Sequence, residues 1–348
     1  MSSTKSVKAK GLIIGGGFPV SIQTMWKEPL AADRLDEAAA RIAGLRGLGC
    51  DILRFAAPDI AAAEVLGRLA SMVEMPLVAD IHFDWRIALR CLDFPIAKIR
   101  INPGNIGERW KVEEVVKKAR DKGVPIRIGV NGGSLPEDLR GGSDRAAAVV
   151  EAALRELAVF EELGFTDLVV SMKASDVSET LAVNRRFASL HDYPLHIGVT
   201  EAGPLVTGVV KNTAALVPLL EEGIGDTIRV SLSDSPENEV IAAREILACS
   251  GLGRQGITLV SCPRCARASF DTHAFAARWA PRLYAMKKNA TVAIMGCVVN
   301  GPGEGRHADL GVTGAGDKVV IFKKGEIART IRPEEADTVF EEELRALE

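Results

Sequence analysis

Ala97-Lys98-Ile99-Arg100-Ile101 is a short apolar run carrying two cations on alternate residues, and the amphipathic pattern at 112–122 follows it after a brief connection. A strand-like run joined to a longer helical pattern is one βα unit. The same unit recurs. Runs rich in Val, Ile and Leu fall at 21–25, 52–56, 77–81, 97–101, 126–130, 167–172, 195–199 and 227–232, and helical patterns lie at 34–48, 60–71, 85–91, 112–122, 144–163, 178–190, 206–221 and 236–249. Buried parallel strands read as continuous apolar runs, and right-handed crossovers pack each helix outside its strand. Eight such units predict an α/β fold closed as a (β/α)8 TIM barrel. A doubly wound open sheet is the alternative, though it rarely supplies eight consecutive units so evenly spaced. The glycine-rich segment 11–17 reads as a hairpin closing the barrel bottom, since it lacks the strand-before, helix-after context of a nucleotide loop.

Barrel chemistry gathers where strands end at the C-terminal face. The residues expected there are Arg54; Asp80 and His82; Lys98, Arg100 and Asn102; Arg127 and Asn131; Ser171, Lys173 and Asp176; His196, Thr200 and Glu201; and Arg229 and Ser231. Alternation along a strand sends residues i and i+2 to one face, so Lys98, Arg100 and Asn102 share a direction, as do Arg229 and Ser231. Any one of these charges is as readily a solvated rim residue or half of an ion pair. Seven strands bringing Arg, Lys or His to one rim make a cationic funnel, which suits a phosphate or diphosphate that Arg can grip bidentately. His82 and His196 fit hydrogen bonding to phosphate oxygens or acid-base work, Asp80 and Glu201 fit holding of substrate hydroxyls or orienting of the arginines, and each fits a supporting brace as readily.

The 348 residues allow two domains, and 47 % hydrophobic with 26 % charged residues is the composition of a soluble globular protein. A net charge of −3 gives no reason to expect nucleic acid. The apolar stretch 11–20 is too short and glycine-rich for a signal or a membrane span, so the expected location is cytoplasmic, without membrane attachment. Cys50, Cys91 and Cys249 show no pairing pattern and read as core thiols.

Past residue 250 the alternation stops. Strands are expected at 257–260, 291–295, 318–323 and 326–330 and helices at 270–287 and 333–347, a small α+β unit, with domains at 1–250 and 251–348; residues 311–316 read as a turn-rich loop. This unit carries Cys262-Pro263-Arg264-Cys265 and, 31 residues after Cys265, Gly296-Cys297 leading into Asn300-Gly301-Pro302-Gly303-Glu304. Two cysteines with two residues between them turn both sulfurs toward one metal, and no His-x3-His pair follows, so a zinc finger fits poorly. Three thiolates with Glu304 as a harder, displaceable fourth ligand point to a [4Fe-4S] cluster with one labile iron. A structural zinc site and three buried thiols are the competing readings.

VSCPRCAR and MGCVVNGPGE closely resemble the cluster motifs of the 4-hydroxy-3-methylbut-2-enyl diphosphate synthases. ADIHFDWRIAL, RINPGNIG, RIGVNGGSL, KASDV, GVTEAG, GIGDTIRVSL and LGVTG are similar to the same family in matching order. The resemblance implies a barrel followed by a ferredoxin-like cluster domain, and homodimers in which one chain's cluster closes the other's barrel. It implies reductive opening of 2-C-methyl-D-erythritol 2,4-cyclodiphosphate, with electrons from flavodoxin or ferredoxin. It would make Cys262, Cys265, Cys297 and Glu304 the cluster ligands, Glu304 also catalytic. Arg54, His82, Arg100, Arg127, Lys173, His196 and Arg229 would be the diphosphate contacts, with Asn102, Asn131, Ser171 and Ser231 beside them. Trp26-Lys27-Glu28 departs from the family's usual Thr-Asn-Thr after strand one. A pteridine-type barrel synthase accounts for the funnel alone, and a zinc-stapled binding protein for the cysteines alone.

Overall fold

The computed structural model describes every residue except 1–3, 133–134, 141–143, 254–255, 300, 302 and 348, and describes Glu304 by its backbone only. Its contacts divide the chain into Met1–Gly253 and Arg254–Glu348. In the first unit an antiparallel hairpin, β1 (Ser6–Ala9) and β2 (Leu12–Gly15), turns at Lys10 and Gly11, both of positive φ. Its Val7, Ala9 and Ile14 pack on Ala97 and Val169, at the end where the barrel strands begin, as expected for a bottom closure.

All eight parallel strands form: β3 (Ser21–Met25), β4 (Ile52–Ala56), β5 (Leu77–Asp80), β6 (Lys98–Ile101), β7 (Ile126–Asn131), β8 (Leu168–Lys173), β9 (His196–Ile197) and β10 (Thr227–Ile228). They pair in parallel in the order β8-β7-β6-β5-β4-β3-β10-β9. A parallel bridge from Val170 to Leu195 joins the two ends, so the sheet is a closed ring and the open-sheet alternative falls. Helices α1 (Leu35–Leu48), α2 (Ile60–Met72), α3 (Trp85–Cys91), α4 (Pro103–Ile106), α5 (Arg109–Lys122), α6 (Arg145–Glu162), α7 (Val177–Ala188), α8 (Leu205–Glu221) and α9 (Pro236–Cys249) fill the connections. Asp59, Asp84, Asp144, Asp176 and Ser235 each accept a backbone N–H in the first turn of the helix they precede, which fixes where α2, α3, α6, α7 and α9 start.

Strands β9 and β10 are shorter than their apolar runs. The helices supply side-chain acceptors where ladder partners would stand: Val199 N–H donates to Asn212 Oδ1 at 3.1 Å and Leu232 N–H to Glu239 Oε1 at 3.0 Å. Cys50 and Cys91 are buried as expected, but Cys249, at the last position of α9, is exposed rather than a core thiol. No described helix is long and apolar enough to cross a membrane.

In the second unit five strands, β11 (Ile257–Ser261), β12 (Ala290–Met295), β13 (Leu310–Ala315), β14 (Lys318–Lys323) and β15 (Glu326–Ile331), stand side by side in chain order. The first three are parallel and the last two return as an antiparallel meander. Helices α10 (Thr272–Ala285) and α11 (Ala336–Arg345) bring Phe275, Trp279, Leu283 and Phe340 onto Val292, Ile294, Val312 and Ile321. The central strand β13 is the segment that reads as a turn-rich loop in the sequence. Its glycines serve packing, because a Cβ on Gly311 would lie 2.0 Å from Phe322 Cζ and one on Gly314 2.6 Å from Ser269 Oγ.

Candidate functional site

Inside the barrel the inward faces of neighbouring strands align cation beside cation. Register pairs Arg100 with Arg127 across β6 and β7, and Asp80 with Arg100 across β5 and β6. Asp80 accepts from Arg100 Nη1 at 3.1 Å and pairs with Arg54 Nε at 3.5 Å. Beside β3 and β10, Glu239 of α9 is buried and accepts from Thr24 Oγ1 at 2.6 Å, from Leu232 N at 3.0 Å and from Arg229 Nε at 3.4 Å, with Lys27 Nζ 2.9 Å away. Six basic side chains, Arg54, Lys98, Arg100, Arg127, Lys173 and Arg229, thus share the interior with two carboxylates, Asp80 and Glu239. Lys98 Nζ, Arg127 Nε and Nη1, Ser171 Oγ and both ring nitrogens of His196 are buried without a hydrogen-bond partner among the described residues.

Such crowding is visible in the titration of each group. Burial lowers the Arg54 pKa to about 10, Asp80 opposing and Arg229 and Arg100 adding to the shift. Burial, then Arg127 and Arg54, bring Lys98 down to about 7. Arg127, Lys173 and His196 are pushed well below their ordinary values by burial first and by neighbouring cations next, which leaves His196 a neutral imidazole. Burial works to raise Asp80, but Arg54, Arg100, His82 and Arg127 outweigh it and hold the carboxyl below the usual range. An interior holding this much uncompensated positive charge is stabilised by an anion entering it.

The barrel therefore brings Arg54, Arg100, Arg127, Ser171, Lys173, His196 and Arg229 into one interior. His82 stands exposed on the loop after β5 with Nε2 3.2 Å from Arg100 Nη1. Asn102 uses its amide on Gly129, donating to its carbonyl at 2.6 Å and accepting from its N–H at 3.0 Å, so it laces β6 to β7. Asn131 and Ser231 are half-buried near the strand ends. Glu239 and Lys27 escape the sequence reading. Glu239 sits in the first turn of α9, where an acid is explained by the helix dipole alone. Lys27, within the departure after strand one, also donates to the carbonyls of Leu232 and Asp234 and so ties that loop to the eighth strand.

In the second unit β11 and β12 end together, Ser261 pairing with Ile294, so Cys262 and Gly296-Cys297 leave adjacent strand ends. Gly296 N–H donates to Cys262 Sγ at 3.1 Å, and a Cβ on Gly296 would meet Ala268 Cβ at 2.9 Å and that sulfur at 3.4 Å. Cys262 packs against the cluster formed by Ala293, Met295, Ala308 and Phe322; Cys297 is buried and Cys265 exposed. Among the described residues no three His, Cys, Asp or Glu side chains gather as a metal site. The side chain of Glu304, with Asn300 and Pro302, lies outside the described residues. A backbone N–H aimed at a cysteine sulfur, on a glycine whose missing Cβ leaves the approach open, fits the donor set of an iron–sulfur group.

A (β/α)8 barrel with an interior charged for a polyanion, followed by a cysteine-bearing α+β unit, is the class that fold and site define. The model described as the GcpE TIM-barrel domain matches residues 4–244 and that described as the GcpE protein C-terminal domain matches 258–346. The chain belongs to the GcpE family. A relative from Treponema pallidum named 4-hydroxy-3-methylbut-2-en-1-yl diphosphate synthase (flavodoxin) is 52 % identical across 97 % of this chain and 89 % of its own. Relatives of the same name are 52 % identical in Treponema denticola (98 % and 96 % covered) and 45 % in Thermodesulfovibrio yellowstonii (98 % of each). Among solved structures, Xanthomonas albilineans dihydropteroate synthase superposes with a TM-score of 0.50 at 14 % identity, covering 70 % of this chain and 96 % of that one, a likeness of barrel fold alone.

Proposed function

We propose that this protein reduces 2-C-methyl-D-erythritol 2,4-cyclodiphosphate to 4-hydroxy-3-methylbut-2-enyl diphosphate, taking up two electrons and two protons and releasing one water. The observation that carries this reading is the barrel interior, where six basic side chains face two carboxylates and several buried polar groups have no described protein partner. Residues 1–250 bind the substrate. Arg54, Arg100, Arg127, Lys173 and Arg229 neutralise the diphosphate, and their charge stabilises the phosphate oxygen that takes the electron pair when the ring C–O bond breaks. Asp80 orients Arg54 and Arg100, Glu239 orients Arg229, and neutral His196 with Ser171 supplies hydrogen bonds from below. His82, Asn102, Asn131 and Ser231 line the rim.

Residues 251–348 hold a [4Fe-4S] cluster through Cys262, Cys265, Cys297 and Glu304. The cluster supplies the electrons and a Lewis-acidic iron. Gly296 N–H would orient the Cys262 sulfur toward the cluster, and Glu304 is the protein's exchangeable ligand and a proton donor. A flavodoxin is the donor that the relatives' names support, with ferredoxin as the second candidate. The working form is a homodimer in which the cluster unit of one chain closes the barrel of its partner; Val298 and Val299, exposed next to Cys297, support a covered surface there. A cytoplasmic setting follows from thiolates that an oxidising compartment would pair.

Protein purified without oxygen should carry about four irons and four sulfides per chain and turn over the cyclodiphosphate with reduced flavodoxin. Zinc without sulfide, or iron retained in full after Cys297→Ser, would overturn the reading.

A further inference from the structure

Lys98 stands apart from the other cations of the barrel. It is fully buried, and its Nζ has no hydrogen-bond partner among the described residues. It lies two residues before Arg100 on the same face of β6, about 7 Å nearer the barrel bottom. The groups that act on it electrostatically are Arg127 from β7, Arg54 from β4 and, with its own unpartnered nitrogens, His196 from β9. Above stand Lys173, Arg229, the Arg100–Asp80 pair and Glu239; the two carboxylates already bond to Arg100, Arg229, Thr24 and the Leu232 backbone. An ammonium at that depth has cations for neighbours and no counter-charge of its own.

We propose that Lys98 is a positioning residue beneath the substrate, taking a proton from solvent when a cyclic polyphosphate enters above it and thereby supplying positive charge only to the occupied pocket. The inference rests on the barrel being the polyanion site. Its ligand class is a cyclic phosphate anhydride, and its mechanism is linkage. An anion held above Lys98 favours the ammonium and raises its pKa, so binding draws in a proton at any pH between the free and bound values. The free value is about 7. Affinity is therefore greatest at low pH and falls by up to about tenfold per pH unit above neutrality.

Trimetaphosphate tests this, because its phosphoryl groups carry no proton near neutrality and any proton taken up must go to the protein. Calorimetric titration of the whole chain at pH 8, in two buffers of different ionisation enthalpy, counts the protons. The wild type should take up most of one proton, and its affinity should fall roughly tenfold from pH 8 to 9. Lys98→Met should bind with no uptake and a flat pH profile. Its folding is checked by thermal melting, and loss of a buried unpartnered amine should raise its Tm. His196→Gln should keep the uptake.

Absence of uptake in the wild type, persistence in Lys98→Met, or loss in His196→Gln or Lys173→Met with retention in Lys98→Met would each overturn the assignment. No binding of trimetaphosphate at all overturns it too. Turnover of the cyclodiphosphate is measured separately. Turnover with no proton uptake sinks this inference alone, whereas Lys98-dependent uptake without turnover sinks the functional reading alone.

Discussion

Replacing Glu239 by alanine should destabilise the barrel more than any other removal of a single carboxylate from it. The buried carboxylate holds four groups at once: the Thr24 hydroxyl, the Leu232 N–H, Arg229 and Lys27. Glu239→Ala leaves an arginine with 13 % of its side chain exposed without its anion, and removes the acceptor that replaces a ladder partner beyond β10. Breaking a buried pair by removing one partner costs about 3–5 kcal/mol. Lys27, at 28 % exposure, regains water and keeps the result toward the lower end. For a unit of this size that is a Tm drop of roughly 10 °C.

Glu239→Gln retains an acceptor oxygen for Thr24 or Leu232 and should lose about half as much. The two variants are compared with wild type by urea unfolding followed by circular dichroism. Burial acts to raise the Glu239 pKa, but Arg229, Thr24, the Leu232 N–H and Lys27 outweigh it and hold it below the ordinary value. A depressed folded pKa gives stability that is fully present above the unfolded value of about 4.3 and is lost as pH falls through the folded one. The gap between wild type and Glu239→Gln should therefore be constant near neutrality and close in acid. A loss below about 1 kcal/mol in Glu239→Ala, or a gap that widens on acidification, would refute the reasoning.

Arg127→Met should raise stability by about 1–3 kcal/mol, since a buried guanidinium with two unpartnered nitrogens is replaced by a thioether. The same variant should lose polyanion binding by calorimetry, and a stability loss with unchanged binding would contradict the assigned role. Gly311→Val should cost about 3 kcal/mol, or prevent soluble expression, because its side chain would overlap the Phe322 ring. Gly316→Asn, at a turn of positive φ with open space around it, should melt within a few degrees of wild type. Asn102→Ala should cost about 1–2 kcal/mol and speed hydrogen exchange of the Gly129 amide, whose acceptor it removes.

The barrel was legible because its evidence is local. A strand buried on both faces must be an apolar run, and a helix covering it must be amphipathic, so the runs from Ser21 to Ile228 announce themselves. The cationic interior was legible in part for the same reason: Arg100 and Lys98, two apart on one strand, have to share a face. The glycines of β13 misled because a turn and a close approach both call for a missing Cβ. Whether Gly311 bends the chain or admits the Phe322 ring depends on a residue eleven positions away.

What the order of residues determined by itself was the alternation of elements, the inward direction of the cations and the spacing of Cys262, Cys265 and Cys297. These follow from backbone periodicity and covalent reach, which act over a few residues. Tertiary structure alone decided that the ring closes between Val170 and Leu195, that Glu239 reaches from a helix to hold Arg229 and Lys27, and that Lys98 lies deep while Arg100 meets Asp80 and His82. Burial and pairing belong to groups far apart in the chain, and the free energy of a charge depends on which of them surround it.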